Sequence, residues 1–260
     1  MYESIATYIP LLIPAFLLLD LVVQQRRYRK PRFWRTRALA VGAGIFFFSG
    51  EVAAFWGALL GDFHLFDLSG LGIAAGTVVG LLVYELFHYG YHRAVHTYKW
   101  MWRGIGHQVH HSAESLDAFG AFYQHPLDAL MFTTGSSLVF IPLLGLPVES
   151  AIIGALFLTF NAMFQHANIK TPHWLGYLIQ RPESHHIHHQ RGVHRYNYAD
   201  VPLIDMVFGT FRNPRTLEDS ECGFYRGASA RLLEMLIGRD VSKPPVPEQP
   251  TASSNEAVHG

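Results

Sequence analysis

Histidine is the residue type from which chemistry can be read in this sequence. Sixteen are present, nearly as many as the 20 Lys and Arg together, and 14 of them fall between His88 and His194. They form groups. HRAVH contains His92 and His96, HQVHH contains His107, His110 and His111, and HHIHH contains His185, His186, His188 and His189. On a helix, residues at i, i+3 and i+4 share a face. The first group has i, i+4 spacing, and the second and third each have i, i+3, i+4. His186 falls about 100° off the face of the third group and should point elsewhere. Three faces then offer eight imidazoles, too many for one tetrahedral zinc and suited to two metal ions with positions left open. An exposed metal-buffering surface is the plain alternative, but it would not need membrane spans in the order described next.

The elements that must position them are greasy. Hydrophobic residues make up 50% of the 260, charged residues 15%, and mean hydropathy is +0.14. Five stretches approach the length of about 20 apolar residues that a spanning helix needs: 5–24, 38–60, 69–90, and a hairpin of 127–146 and 150–167 turned at Pro147. Buried helices of a soluble all-α protein are the alternative; such helices are usually shorter and amphipathic. Asp20, Glu51 and Glu85 interrupt the stretches and should face the bundle interior or a polar cavity.

The basic residues are sided. Seven lie in 25–37, three in 93–103, and ten from Lys170 to Lys243. If the spans alternate, all fall at one face, which the positive-inside rule makes cytoplasmic. HRAVH follows the third span, HQVHH precedes the fourth and HHIHH follows the fifth, so the boxes share that face. The expected fold is an all-α membrane bundle of four to five spans under a cytoplasmic histidine-rich cap. Net charge is zero, which argues against a nucleic-acid partner. The single Cys222 excludes a disulfide scaffold or an iron–sulfur site. From about Ser242 the composition reads as a disordered tail.

The run YELFHYGYHRAVHTYKWMWRGIGHQVHHSAESLDAFGAFYQHPLD, the element FQHANI and the run RPESHHIHHQRGVHRYNYADVPLIDMVFGTF resemble the fatty acid hydroxylase / sterol desaturase superfamily of membrane di-iron oxygenases. The resemblance covers about residues 70–215. It implies the eight box histidines as iron ligands and His166, the isolated histidine of that family, as a ninth. Glu85 stands where the family has an acidic residue, usually Asp, which could orient a ligating imidazole. His88, one turn before His92, and His125, in QHPLD, are open as ligands or supporting residues; His125 could equally cap a helix. His173 and His194 read as ordinary polar residues. His64 is expected on the far face and His259 in the tail. Asn168 and Asn197 are possible polar lining.

The implied organisation is N-terminal spans and a basic loop over 1–68, a catalytic domain over 69–215, a C-terminal segment over 216–241 and the tail over 242–260. The implied chemistry is hydroxylation or desaturation of a lipid by two irons with O2. Electrons would come from a separate reductase or carrier, since the chain holds no haem, flavin or iron–sulfur motif. Tyr98, Trp100 and Trp102 read as interface anchors. A zinc hydrolase would place a carboxylate base inside its motif, as in HExxH, and HRAVH lacks one. A metal transporter would hold its ligands near the membrane midplane rather than flanking the spans.

Overall fold

The computed structural model of the chain describes residues 9–216 and 219–245. Ten α-helices order the described residues, with no strand among them: α1 Ile9–Val22, α2 Trp34–Leu60, α3 Gly72–Thr97, α4 Lys99–Gly104, α5 Gln108–His111, α6 Pro126–Leu138, α7 Val148–His166, α8 Pro182–His189, α9 Pro202–Val207 and α10 Leu232–Leu236. A π-helical turn, Val139–Leu143, extends α6 and contains Pro142. A proline there removes a backbone donor, and the widened turn absorbs the loss.

Four helices are long and apolar enough to cross a membrane: Trp34–Leu60, Ser69–Thr97 with its leading turn, Pro126–Leu143 and Val148–His166. They correspond to four of the five expected stretches. The first stretch differs. Its described helix has 14 residues, about 21 Å at 1.5 Å per residue against a hydrocarbon core of about 30 Å. Residues 5–8 of that stretch lie outside the described residues, as do 246–260 of the expected tail, His259 included.

The spans pack as α2 on α6 and α3 on α7, with α1 laid on α7. The ring of Phe140 sets the closest approach. A Cβ on Gly80 of α3 or on Gly154 of α7 would collide with that ring, so both helices can draw in only because those positions carry no side chain.

The basic loop, the box helices and the C-terminal segment meet at one end of the bundle. Arg26 pairs with Asp219 at 3.1 Å and Lys30 with the buried Asp117 at 3.3 Å. Tyr28 Oη lies 3.1 Å from His186 Nδ1, and the Arg37 guanidinium donates to Ser229 at 3.2 Å. The end of α1 is pinned to the same cap. Asp20, 1% exposed, accepts the backbone N–H groups of Asn168 (2.8 Å) and Ala118. Asp20 and Glu85 are thus interior, as expected, whereas Glu51 is exposed and borders the cavity described below. A core of Trp34, Val109, Tyr123, Phe224 and Met235 holds the cap together.

Candidate metal centre

The imidazoles converge in two sets. His92, His96, His107, His111 and His188 form one, and His110, His166, His185 and His189 the other, with ligand atoms of each set within 4.8 Å of one another. These are the nine residues singled out from the sequence. Two of the three boxes are divided between the sets, whereas HRAVH gives both His92 and His96 to the first. HQVHH gives its i, i+4 pair to the first set and His110 to the second; HHIHH gives its i, i+4 pair to the second and His188 to the first. The sets abut, with the rings of His111 and His189 stacked at 4.2 Å between centroids.

The hydrogen bonds show what the sets are built to hold. His92 Nδ1 contacts the Tyr198 carbonyl at 2.7 Å, and His107 Nδ1 contacts Asp128 Oδ2 at 2.7 Å. Each acceptor can only receive a proton, so both Nδ1 atoms are donors and both Nε2 atoms carry bare lone pairs. Those two Nε2 atoms nevertheless stand 3.2 Å apart. The same logic applies to His188, whose Nδ1 donates to the Tyr196 carbonyl at 2.7 Å and whose buried Nε2 has no partner. His166 donates to Ala162 O at 2.7 Å, and its Nε2 lies 3.1 Å from both His110 Nε2 and His185 Nε2. Buried lone pairs aimed at one another repel, and a cation between them removes the repulsion. This donor set fits metal ions held by neutral nitrogen.

The outer partners come from three places. Asp128 is buried, and its other oxygen accepts the Tyr91 hydroxyl at 2.7 Å. Asp205 accepts Tyr198 N, Ala199 N and the Thr210 hydroxyl at 2.9, 2.8 and 2.6 Å. It thereby fixes the loop whose Tyr196 and Tyr198 carbonyls orient His188 and His92. That loop is strained, with His194, Tyr196 and Asn197 all at positive φ. The Asn197 side chain clamps it by bonding Arg212 N (2.7 Å) and Ser184 O (2.9 Å). Asn168 instead braces Arg26 and Asp20, at the α1 end of the cap.

An apolar cavity of about 850 Å³ reaches both sets. Its walls come from α2, α3, α6 and α7, through residues such as Phe46, Trp56, Phe132, Ile152 and Leu158. At its cap end lie His92 and His107 of the first set and His110, His166 and His185 of the second. A chamber of this size, apolar along its length and polar at one end, suits a chain-like ligand lying among the spans.

The fatty acid hydroxylase family model matches residues 77–210, just over half of the chain. The chain belongs to the fatty acid hydroxylase family. Sphinganine C4-monooxygenase 1 of Arabidopsis thaliana is 30% identical over 162 residues, covering 60% of this chain and 61% of that protein. Very-long-chain aldehyde decarbonylase GL1-9 of Oryza sativa subsp. japonica is 28% identical over 155 residues, covering 56% and 58%. Alkylglycerol monooxygenase of Danio rerio is 31% identical over 134 residues, covering 49% and 28%. The chain thus spans about three fifths of the length of the first two relatives. No solved structure matches it.

Within this family member, His125 takes the capping alternative that the sequence left open, and three expectations change. His125 joins neither set. Its Nδ1 accepts the Leu127 N–H at 3.0 Å, capping α6, and its Nε2 meets the Leu236 carbonyl at 3.2 Å. Its ring packs where Gly106, at φ +88, has no side chain. Glu85 orients no ligating imidazole; its Oε2 accepts Asp200 N and Val201 N at 2.9 and 3.1 Å. His194 is not an ordinary polar residue, because its Nδ1 lies 3.1 Å from His111 Nδ1. Trp102 is not an interface anchor. It packs on His96, His111 and His194, while Tyr98 and Trp100 are 55% and 66% exposed. His88 groups with Glu85 and Asp200 instead of either set. His186, His173 and His64 lie outside both sets: His186 contacts Tyr28 and Ser220, His173 contacts Asn213 O, and His64 packs beside Gly145. Sequence reasoning missed Asp128 altogether. Its signal was a carboxylate three residues beyond His125 in QHPLD.

Two outcomes follow from these positions. Removing the cap with His125→Ala should cost about 1 kcal/mol of stability, read as a lowered melting temperature with the metal content unchanged. The second concerns pH. Burial first, then neighbouring imidazoles, holds His111, His185 and His189 well below the ordinary histidine range; His110 and His188 are lowered likewise, chiefly by burial. The unfolded chain takes up protons near pH 6.5, whereas the folded, metal-free protein does not until lower pH. Stability of the metal-free protein should therefore fall as pH drops below about 6.5, by about 1.4 kcal/mol per pH unit for each such group. Thermal unfolding in detergent between pH 8 and pH 5 checks this, and a flat profile would contradict the assignment.

Proposed function

We propose that this protein is a membrane oxidoreductase that hydroxylates or desaturates a lipid with O2 at a di-iron centre. The observation that carries the reading is the pair of imidazole sets, five and four residues, placed at the polar end of an apolar cavity among the spans. The lipid-acting relatives support it. A sphinganine monooxygenase and an alkylglycerol monooxygenase are among them, and so is an ornithine lipid hydroxylase of Rhizobium tropici.

His92, His96, His107, His111 and His188 would hold one ion, and His110, His166, His185 and His189 the other. When bound, the ions would supply O2 reduction and oxidation of an unactivated C–H bond, chemistry that no side chain here can perform alone. The chain's own residues do the rest. The cavity walls align the hydrocarbon and exclude water. Asp128 and the carbonyls of Tyr196 and Tyr198 keep the imidazoles in the tautomer that leaves Nε2 free. The strained loop, held by Asp205 and Asn197, sets the position of those carbonyls. The catalytic unit is the segment 69–215, with 1–68 as N-terminal spans and basic loop and 216–241 as a further cytoplasmic segment. The concentration of Lys and Arg at the cap end makes that end cytoplasmic, where a separate reductase or small electron carrier would dock.

The test combines metal analysis with lipidomics. About two irons per chain, as two histidine sets require, are expected together with a new hydroxylated or unsaturated lipid in cells expressing the protein. Zinc in a preparation that is active as a hydrolase would overturn the reading. Zinc alone would not, because it can replace iron during purification.

A further inference from the structure

A second kind of ligand cluster lies between α3 and the loop before α9, and it uses none of the nine imidazoles. Glu85, His88 and Asp200 each present one ligand atom, all within 4.8 Å of one another. Their relative exposures are 0%, 8% and 5%. Part of their capacity is spent. Glu85 Oε2 takes the two backbone N–H groups, and Asp200 Oδ1 accepts the Gln165 amide at 3.0 Å. The rest is not. Glu85 Oε1 and His88 Nδ1 are buried with no hydrogen-bond partner, and His88 Nδ1 stands 3.4 Å from Asp200 Oδ2. Nearby on α7, the fully buried Asn161 leaves both its amide nitrogen and its amide oxygen unpaired.

Orphaned polar atoms in this number are uncommon in a folded interior and call for an occupant. Charge points the same way. Two carboxylates removed from water stay ionised together only beside compensating positive charge. Among the described residues, no Lys or Arg forms an ion pair with Glu85 or Asp200. His88 could at most offset one of them.

We propose that Glu85, His88 and Asp200 form a third cation site, for a divalent first-row transition ion. Two carboxylate oxygens and one imidazole nitrogen are a donor set that Mn2+, Fe2+ or Zn2+ accepts, whereas Ca2+ favours six to eight oxygens. His88 and Asp200 also border the cavity. The ion would therefore face the lipid chamber, with positions open to water or to a polar group of the ligand. It would also join α3 to the loop that carries the Tyr198 carbonyl.

The experiment uses the full chain purified in detergent, stripped of metal and reloaded anaerobically with Mn(II). Wild-type protein is expected to take up about three ions per chain, one for each ligand cluster. Glu85→Gln and Asp200→Asn are each expected to take up one fewer. A manganese-edge anomalous peak between Glu85, His88 and Asp200 is expected in crystals of the wild type, and this readout does not depend on the variants folding. No peak there, or a count unchanged in both variants, overturns the site. His189→Ala separates this proposal from the di-metal reading. The third-site peak should persist when the second histidine set is broken, and empty histidine sets with an intact third site would overturn only the di-metal reading.

Discussion

Replacing His188 or His110 by Ala should abolish lipid oxidation, although the two residues lie in different imidazole sets. His188 is fully buried and belongs to the set of five; His110 belongs to the set of four. Loss of an outer partner of a ligand already costs about 10–100-fold in metal affinity or activity, so loss of a ligand should exceed about 100-fold. The two sets touch through His111 on His189 and His188 on His185, at 4.2 and 5.1 Å between ring centroids. Damage to either side therefore reaches both ions. The double variant should be no worse than either single one, as expected of residues that act as a unit. Product formation by mass spectrometry and iron per chain check this, with helicity and melting temperature as controls. Retained oxidation in both variants would count heavily against the centre.

Asp128 carries the second large effect. It is fully buried, and its two oxygens accept His107 Nδ1 and the Tyr91 hydroxyl, both at 2.7 Å. Asp128→Ala leaves two buried donors without an acceptor, at about 1–3 kcal/mol each. It also frees the His107 ring to turn or change tautomer. A drop of about 10–100-fold in metal affinity and activity is expected. Asp128→Asn, which keeps the shape but sets an amide donor against one of those two groups, should fall between Ala and wild type. Tyr91→Phe removes one donor and leaves the His107 bond, so its effect should be the smallest of the three. Competition with a chelator measures the affinity. If Asp128→Asn binds metal and turns over as wild type does, the carboxylate has no orienting role.

The histidines of the two sets were legible because helical spacing is local. HRAVH, HQVHH and HHIHH each declare a shared face, and the resemblance added His166. The four long spans were legible because hydropathy is additive along a helix. Which histidine serves which ion was not. The split of HQVHH and HHIHH between two sets depends on how α3, α5, α7 and α8 face one another, and no spacing within one helix encodes it. His125 and His194 show the same limit. Both are histidines in the right region, and only their partners tell them apart: a backbone N–H for His125, the ring of His111 for His194.

By itself, the sequence determined that this is a membrane protein in character, that its basic residues gather between the spans in three groups, and that its histidines have ligand spacing. Each is a property of composition or of a single helix, where periods of 3.6 residues and lengths of about 20 residues suffice. Only the tertiary structure set Asp128 against the His107 imidazole and gave Glu85 backbone N–H groups instead of an imidazole of either set. It alone joined Glu85 and His88 to Asp200, more than a hundred residues away, and opened the cavity onto both imidazole sets. The reason is physical. A hydrogen-bond partner or a third ligand across the bundle is fixed by packing distance, and packing distance is set by features such as Phe140 seated against Gly80 and Gly154, which no local pattern announces.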